Sequence, residues 1–134
     1  MNKVVQLSEA SSIGIHAMVL IARSEVHMNV SDLAEKIGAS RNHLAKVMQR
    51  LVKDGFVKSS RGPTGGFLLS KSPEEITLLD IYESIEGPIE PAACPLDRQV
   101  CPFGKCLMGG VVNKATIEIR EYLKANTLKE MMGY

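Results

Sequence analysis

The stretch from Val30 to Ser70 constrains the fold more than any other part of the chain. Val30-Ser31-Asp32-Leu33-Ala34-Glu35-Lys36-Ile37 has the pattern of a short helix, with Ser31 as its expected N-cap, and Gly38 supplies a stop. Ser40 is placed to cap a second helix from Arg41 to about Asp54, whose apolar residues Leu44, Val47, Met48 and Leu51 share one face. Two short helices joined by Gly38-Ala39-Ser40 have the proportions of a helix-turn-helix. After Gly55 the period becomes extended: Phe56–Ser59 and Phe67–Ser70 flank the turn-rich run Ser60-Arg61-Gly62-Pro63-Thr64-Gly65-Gly66. A β-hairpin directly behind a helix-turn-helix reads as a wing.

The flanking segments complete this plan. Ser8 caps a first helix running to about Ser24, with Ile13, Ala17, Leu20 and Ile21 recurring at helical spacing. Ile76–Gly87 gives a further helix, capped by Thr77 or Ser72. Pro88, Pro91, Pro95 and Pro102 make the next segment irregular. From Gly110 a longer helix carries Val112, Ala115, Ile119, Tyr122 and Leu123 at three- and four-residue spacings. The residues before it already suffice for a core, so this stripe is expected to pack against a second copy of itself. Thr127 and Glu130 have the spacing of a capping box for a last turn. The expected fold is therefore mainly α with a small β-hairpin wing: a winged helix-turn-helix domain over residues 1–87, a cysteine-bearing loop over 88–108, and a C-terminal dimerisation helix and tail over 109–134.

Charge divides sharply along the chain. Between Arg41 and Lys71 there are seven bases and one acid, whereas Ser72 to Asp97 carries seven acids and no base. Such a change of sign fits a segment that faces a polyanion, with a solvated charged face as the alternative. The longest apolar run, around IGIHAMVLIA, is too short to span a bilayer, and no signal-peptide pattern opens the sequence. A cytoplasmic location without a membrane is the expectation. No catalytic triad spacing, phosphate loop or paired carboxylates argue for an enzyme.

All three cysteines fall in CPLDRQVCPFGKC, from Cys94 to Cys106, with six and then four residues between them. An odd number of crowded thiols is a poor disulfide framework, and the spacing is not that of a zinc ribbon. Thiolates select iron-sulfur clusters, zinc or copper(I), and a redox role or inert thiols remain open on spacing alone.

The block GASRNHLAKVMQRLVKDGFVKSSRGPTGGFLLSKSPEEITLLDIYESIEG, from Gly38 to Gly87, resembles the Rrf-two type of small bacterial winged-helix regulators, the family of the IscR, NsrR and CymR branches. LSEASSIGIHAMVLIA is similar to that family's first helix, so the resemblance covers nearly the whole chain. It implies a homodimeric transcription regulator binding a palindromic double-stranded DNA operator, often under the control of an iron-sulfur cluster. Helix-turn-helix geometry puts Arg41, Asn42 and His43 at the major groove, with Arg41 and Asn42 as base readers. Lys46, Arg50 and Lys53 are candidates for phosphate contacts or plain surface, Ser31, Ser40, Ser59 and Ser60 for neutral phosphate hydrogen bonds, Arg61 for the minor groove, and Gly65 for close backbone approach.

Cluster-binding members carry three cysteines in this same segment, which makes Cys94, Cys101 and Cys106 the expected ligands of a cluster, with the 4Fe-4S type placed ahead of the 2Fe-2S type. The chain departs from the family at the fourth ligand. Where the IscR branch has a histidine, Gly109 stands here, and where the NsrR branch takes an aspartate from the partner's first helix, this chain has Ser12. A neutral serine is a poor iron ligand, but Glu9 and His16 lie one turn to either side of Ser12 on the same helical face, within reach of a cluster presented by a second subunit. His16 matches a position where some relatives carry a histidine ligand; a histidine that only hydrogen-bonds, a small molecule or no fourth ligand are the alternatives. The other reading is a cluster-free regulator controlled by a protein partner or by thiol oxidation, as in the CymR branch.

Overall fold

The structure is a computed structural model, and it describes residues 4–91 and 101–134. Helix α1 (Glu9–Arg23) starts where the Ser8 side chain accepts the Ser11 N–H at 3.1 Å. Helix α2 (Val30–Ile37) is capped by Asn29, not by Ser31: Asn29 Oδ1 accepts the Asp32 N–H at 2.8 Å and Asp32 accepts the Asn29 N–H. The reciprocal pair satisfies two free donors at once, which displaces Ser31 into the helix. Gly38 ends α2 in the left-handed conformation, and Ser40 then caps α3 (Arg41–Lys53).

Strands β1 (Val57–Ser60) and β2 (Gly66–Leu69) pair antiparallel in the register Val57 with Leu69 and Ser60 with Gly66, one residue off the expected limits at each end of the hairpin. The Phe67 N–H donates to the Met28 carbonyl at 2.8 Å and fastens the wing to the approach of α2. A 3-10 turn (Pro73–Glu75) leads to α4 (Leu78–Glu86), which Thr77 and Asp80 close with a capping box. Helix α5 (Val111–Ala125) and the short α6 (Leu128–Met131) complete the described chain. At α6 Thr127 accepts the Glu130 N–H, so the expected box is present as that half.

The core is made by α1 to α4 and the segment leading into α4, with Met18, Leu33, Leu44, Met48, Leu51, Ile76 and Ile81 fully buried. Where α1 crosses α4, a Cβ at Gly14 would meet the tip of the Ile85 side chain, which would have to shift. The C-terminal elements are not separate from this core. Leu123 and Leu128 are buried within it, and the Leu128 N–H donates to the Ile76 carbonyl at 2.9 Å while the Leu78 N–H donates to the Asn126 carbonyl at 2.9 Å. The C-terminal half of α5 is anchored: Leu123 is buried and Ile119 packs on the core, so these two members of the stripe expected to meet a second copy are covered by their own chain, while Val111, Val112, Ile117 and Tyr122 are exposed. Among the described residues, no helix is long and apolar enough to cross a membrane.

Candidate nucleic-acid interface and cysteine segment

The candidate reading helix α3 is set by its cap. Ser40 Oγ accepts the His43 N–H at 3.1 Å, which points the first turn of α3 outward and leaves Arg41 and Asn42 exposed. Arg41 lines a concavity of about 500 Å³ with Asn29, Ser31, Ser59, Ser60 and Arg61, between the start of α2 and the wing. Two guanidinium groups, hydroxyls and the N-terminal end of α2 thus face one space, a donor-rich surface suited to phosphate and base edges. Asn29 is the member of this set that sequence reasoning missed, although the Asn-x-x-Asp pattern signalled its capping role.

Gly65 borders the same concavity, but its own requirement lies in the turn. A Cβ there would strike the Ser60 carbonyl oxygen, and the Gly65 N–H donates to the Gly62 carbonyl at 2.9 Å. Close packing of the wing on itself excludes a side chain.

The remaining expected DNA contacts sit elsewhere. His43, Lys46 and Arg50 line a separate concavity of about 520 Å³, facing Glu86 and Gly87 at the end of α4. Residues three and four apart on a helix share a face, and this face is turned from the wing side toward α4. Arg50 is already engaged there: its Nε donates to the Ser84 carbonyl at 2.7 Å. Glu86 in turn accepts from the Ser8 hydroxyl at 2.5 Å, joining the end of α4 to the cap of α1.

Glu9, Ser12 and His16 come together as expected, on one face of α1 beside a groove of about 600 Å³ that also includes Ile15, Val19 and Met131. His16 Nδ1 lies 2.6 Å from the Ser12 carbonyl oxygen. A carbonyl only accepts, so Nδ1 is the donor, which in the neutral ring leaves the lone pair on Nε2. Glu9 is exposed and Ser12 half-buried, and neither has a comparable arrangement.

Cys94 lies outside the described residues; Cys101 and Cys106 are exposed free thiols. Cys106 sits just ahead of α5, where the backbone N–H groups of Gly110, Met108 and Gly109 hold its thiol below the ordinary range, with Gly110 the largest contributor. This is the usual effect of a helix N-terminus on a thiol, and it favours the thiolate that binds metals. Among the described residues of one chain, no three His, Cys, Asp or Glu side chains are grouped closely enough to hold a metal ion.

Comparison with known proteins places this arrangement. Residues 7–134 match the family described as "Rrf2: Iron-dependent Transcriptional regulator". The chain is 36% identical over 83 residues to BadM of Rhodopseudomonas palustris, a match spanning 61% of this chain and 53% of that protein. It is 28% identical over 132 residues to IscR of Photorhabdus laumondii, spanning 96% of this chain and 80% of that one. Both are described as HTH-type transcriptional regulators, which are not enzymes. Its fold is similar to the solved structure of CymR, the global cysteine regulator of B. subtilis, with a TM-score of 0.80 at 26% identity over 98% of each chain. The chain belongs to the Rrf2 family of winged-helix, DNA-binding transcriptional regulators.

Proposed function

We propose that the chain works as a homodimer which reads a palindromic operator with Arg41 and Asn42 of α3 and inserts Arg61 of the wing into the minor groove. The operator affinity is set by an iron-sulfur cluster, 4Fe-4S ahead of 2Fe-2S, held by Cys94, Cys101 and Cys106. The observation that carries the cluster reading is the Cys106 thiol, exposed and biased to thiolate at the root of α5. The donor set fits: soft sulfur ligands belong to a segment between the helix-turn-helix domain and a helix that leaves Val111, Val112, Ile117 and Tyr122 exposed in one chain. When bound, the cluster supplies an iron centre that reacts with oxidants or nitric oxide.

His16 is the best supported fourth ligand. Its Nδ1–H is held by a backbone carbonyl, the arrangement that orients metal-binding imidazoles, and His16 lines the groove along α1. Glu9 and Ser12 are the lesser candidates on the same face. Donation from a second copy ties the cysteine segment of one subunit to α1 of the other. Release of that tie alters the spacing of the two reading helices, which in a dimer lie about 34 Å apart on successive turns of the duplex.

A second reading is a cluster-free regulator controlled by a partner protein or by thiol oxidation, favoured by the likeness to CymR. Anaerobic purification separates the two. The cluster reading expects a coloured protein with stoichiometric iron and sulfide, and operator affinity that differs between holo, apo and Cys101→Ala forms. A colourless protein that binds the operator fully as purified supports the second. His16→Ala tests the fourth ligand, with an altered visible spectrum expected while Glu9→Gln leaves it unchanged.

A further inference from the structure

Three groups from two helices meet at the base of the reading helix. Arg50 Nε donates to the Ser84 carbonyl at 2.7 Å and lies 3.8 Å from Asp54 Oδ2. The buried Ser84 hydroxyl donates to that same carboxylate oxygen at 2.5 Å. The sequence explains why the carbonyl is free. Ser84 is in the last turn of α4, its helical donor would be the N–H of residue 88, and residue 88 is proline, which has none. An arginine of the reading helix supplies the missing donor.

We propose that Arg50 is a positioning residue for DNA reading, setting how α3 lies on α4 instead of neutralising a phosphate. The apolar stripe of Leu44, Met48 and Leu51 buries α3 firmly, but hydrophobic contact is non-directional and tolerates small slides and rotations. Charge-assisted hydrogen bonds are directional. Base reading by Arg41 depends on placement to within about half an ångström, so a directional lock nine residues down the same helix governs discrimination. The lock also sits at the helix end from which the cysteine segment departs: the Gly87 N–H donates to the Glu83 carbonyl at 2.9 Å, and the Ile89 N–H to Glu83 Oε2 at 2.8 Å.

The proposal rests on sequence-specific reading by α3, and the test separates the two. A duplex is selected from a random library with the wild-type protein, and its binding is compared with that of a scrambled duplex over a range of salt for Arg50→Gln and Asp54→Asn. Positioning expects Arg50→Gln to lose about tenfold in affinity for the selected duplex, the size of one charge-assisted hydrogen bond, with the scrambled duplex and the salt slope unchanged. Asp54→Asn then also weakens selected binding, although it removes a negative charge. A salt slope reduced by about one with equal losses on both duplexes, or tighter binding by Asp54→Asn, overturns the role of Arg50. If Arg50→Gln fails to fold by circular dichroism, Asp54→Asn decides alone, since its amide oxygen still accepts from Ser84. A selection yielding no preferred duplex overturns the reading by α3 and the proposal with it.

Discussion

The reading helix and the cysteine segment are held in opposite ways. Helix α3 has a side-chain cap at its start, a stripe of fully buried Leu44, Met48 and Leu51 along its length, and a hydrogen-bonded arginine near its end. From Cys101 to Val112 the chain exposes Phe103, Leu107, Met108, Val111 and Val112 together with two thiols. One region is finished within a single chain; the other leaves apolar surface in water, which marks a place completed by something else. Under the proposed function, this difference puts rigidity at the reading helix and responsiveness at the cysteines, the division of labour a switchable regulator needs.

The largest effect that sharpens this contrast is on stability. Leu51→Ala should cost about 2–5 kcal/mol in urea unfolding, whereas Leu107→Ala should stay within about 0.5 kcal/mol at concentrations where the protein is monomeric. Equal losses would mean that the cysteine segment is as well packed as the core.

Next comes assembly. Val112→Asp should yield monomers by sedimentation and reduce operator affinity on the order of a hundredfold, because linked half-sites multiply affinity. A dimer that survives this charge would move the interface away from the exposed stripe of α5.

Smaller effects follow at the reading face. Arg41→Ala should lower discrimination against one substituted base pair by about 1–3 kcal/mol, while Lys46→Ala weakens all sequences alike. Asn29→Ala should cost about 1 kcal/mol through its lost cap.

The finest test is titration. In a chain with Cys94 and Cys101 replaced by serine, alkylation of Cys106 should rise with pH through a midpoint below the free-thiol value of about 8.5, and urea should return it there. The sign follows from the N–H groups, which favour the thiolate only in the folded chain, so the shift exists only while the start of α5 is formed. An unchanged midpoint in urea would remove that order from the comparison.

Local chemistry made much of this legible in the sequence. Ser8, Ser40 and Thr77 cap the helices expected of them, Gly38 stops α2, and the expected apolar faces are buried along α3 and at Ile13, Ala17 and Ile21 of α1, with Leu20 half-buried, because caps and helical periodicity act within a few residues. The cap of α2 was misplaced by two positions because Asn29 and Ser31 both suit the role, and the carboxylate of Asp32 decides for Asn29. Other features arise from chain crossings that no local pattern encodes. Asp54 and Ser84 are thirty residues apart, and their meeting with Arg50 depends on how α3 lies on α4. The separation of Arg41 from His43, Lys46 and Arg50 into two surfaces likewise depends on what flanks α3 on each side. The sequence by itself determined the elements, their caps and the ligand types available in the cysteine segment, since those follow from short-range bonding. Only the tertiary structure decided which basic residues face open space and which are tied to α4, because that is set by the packing of distant helices.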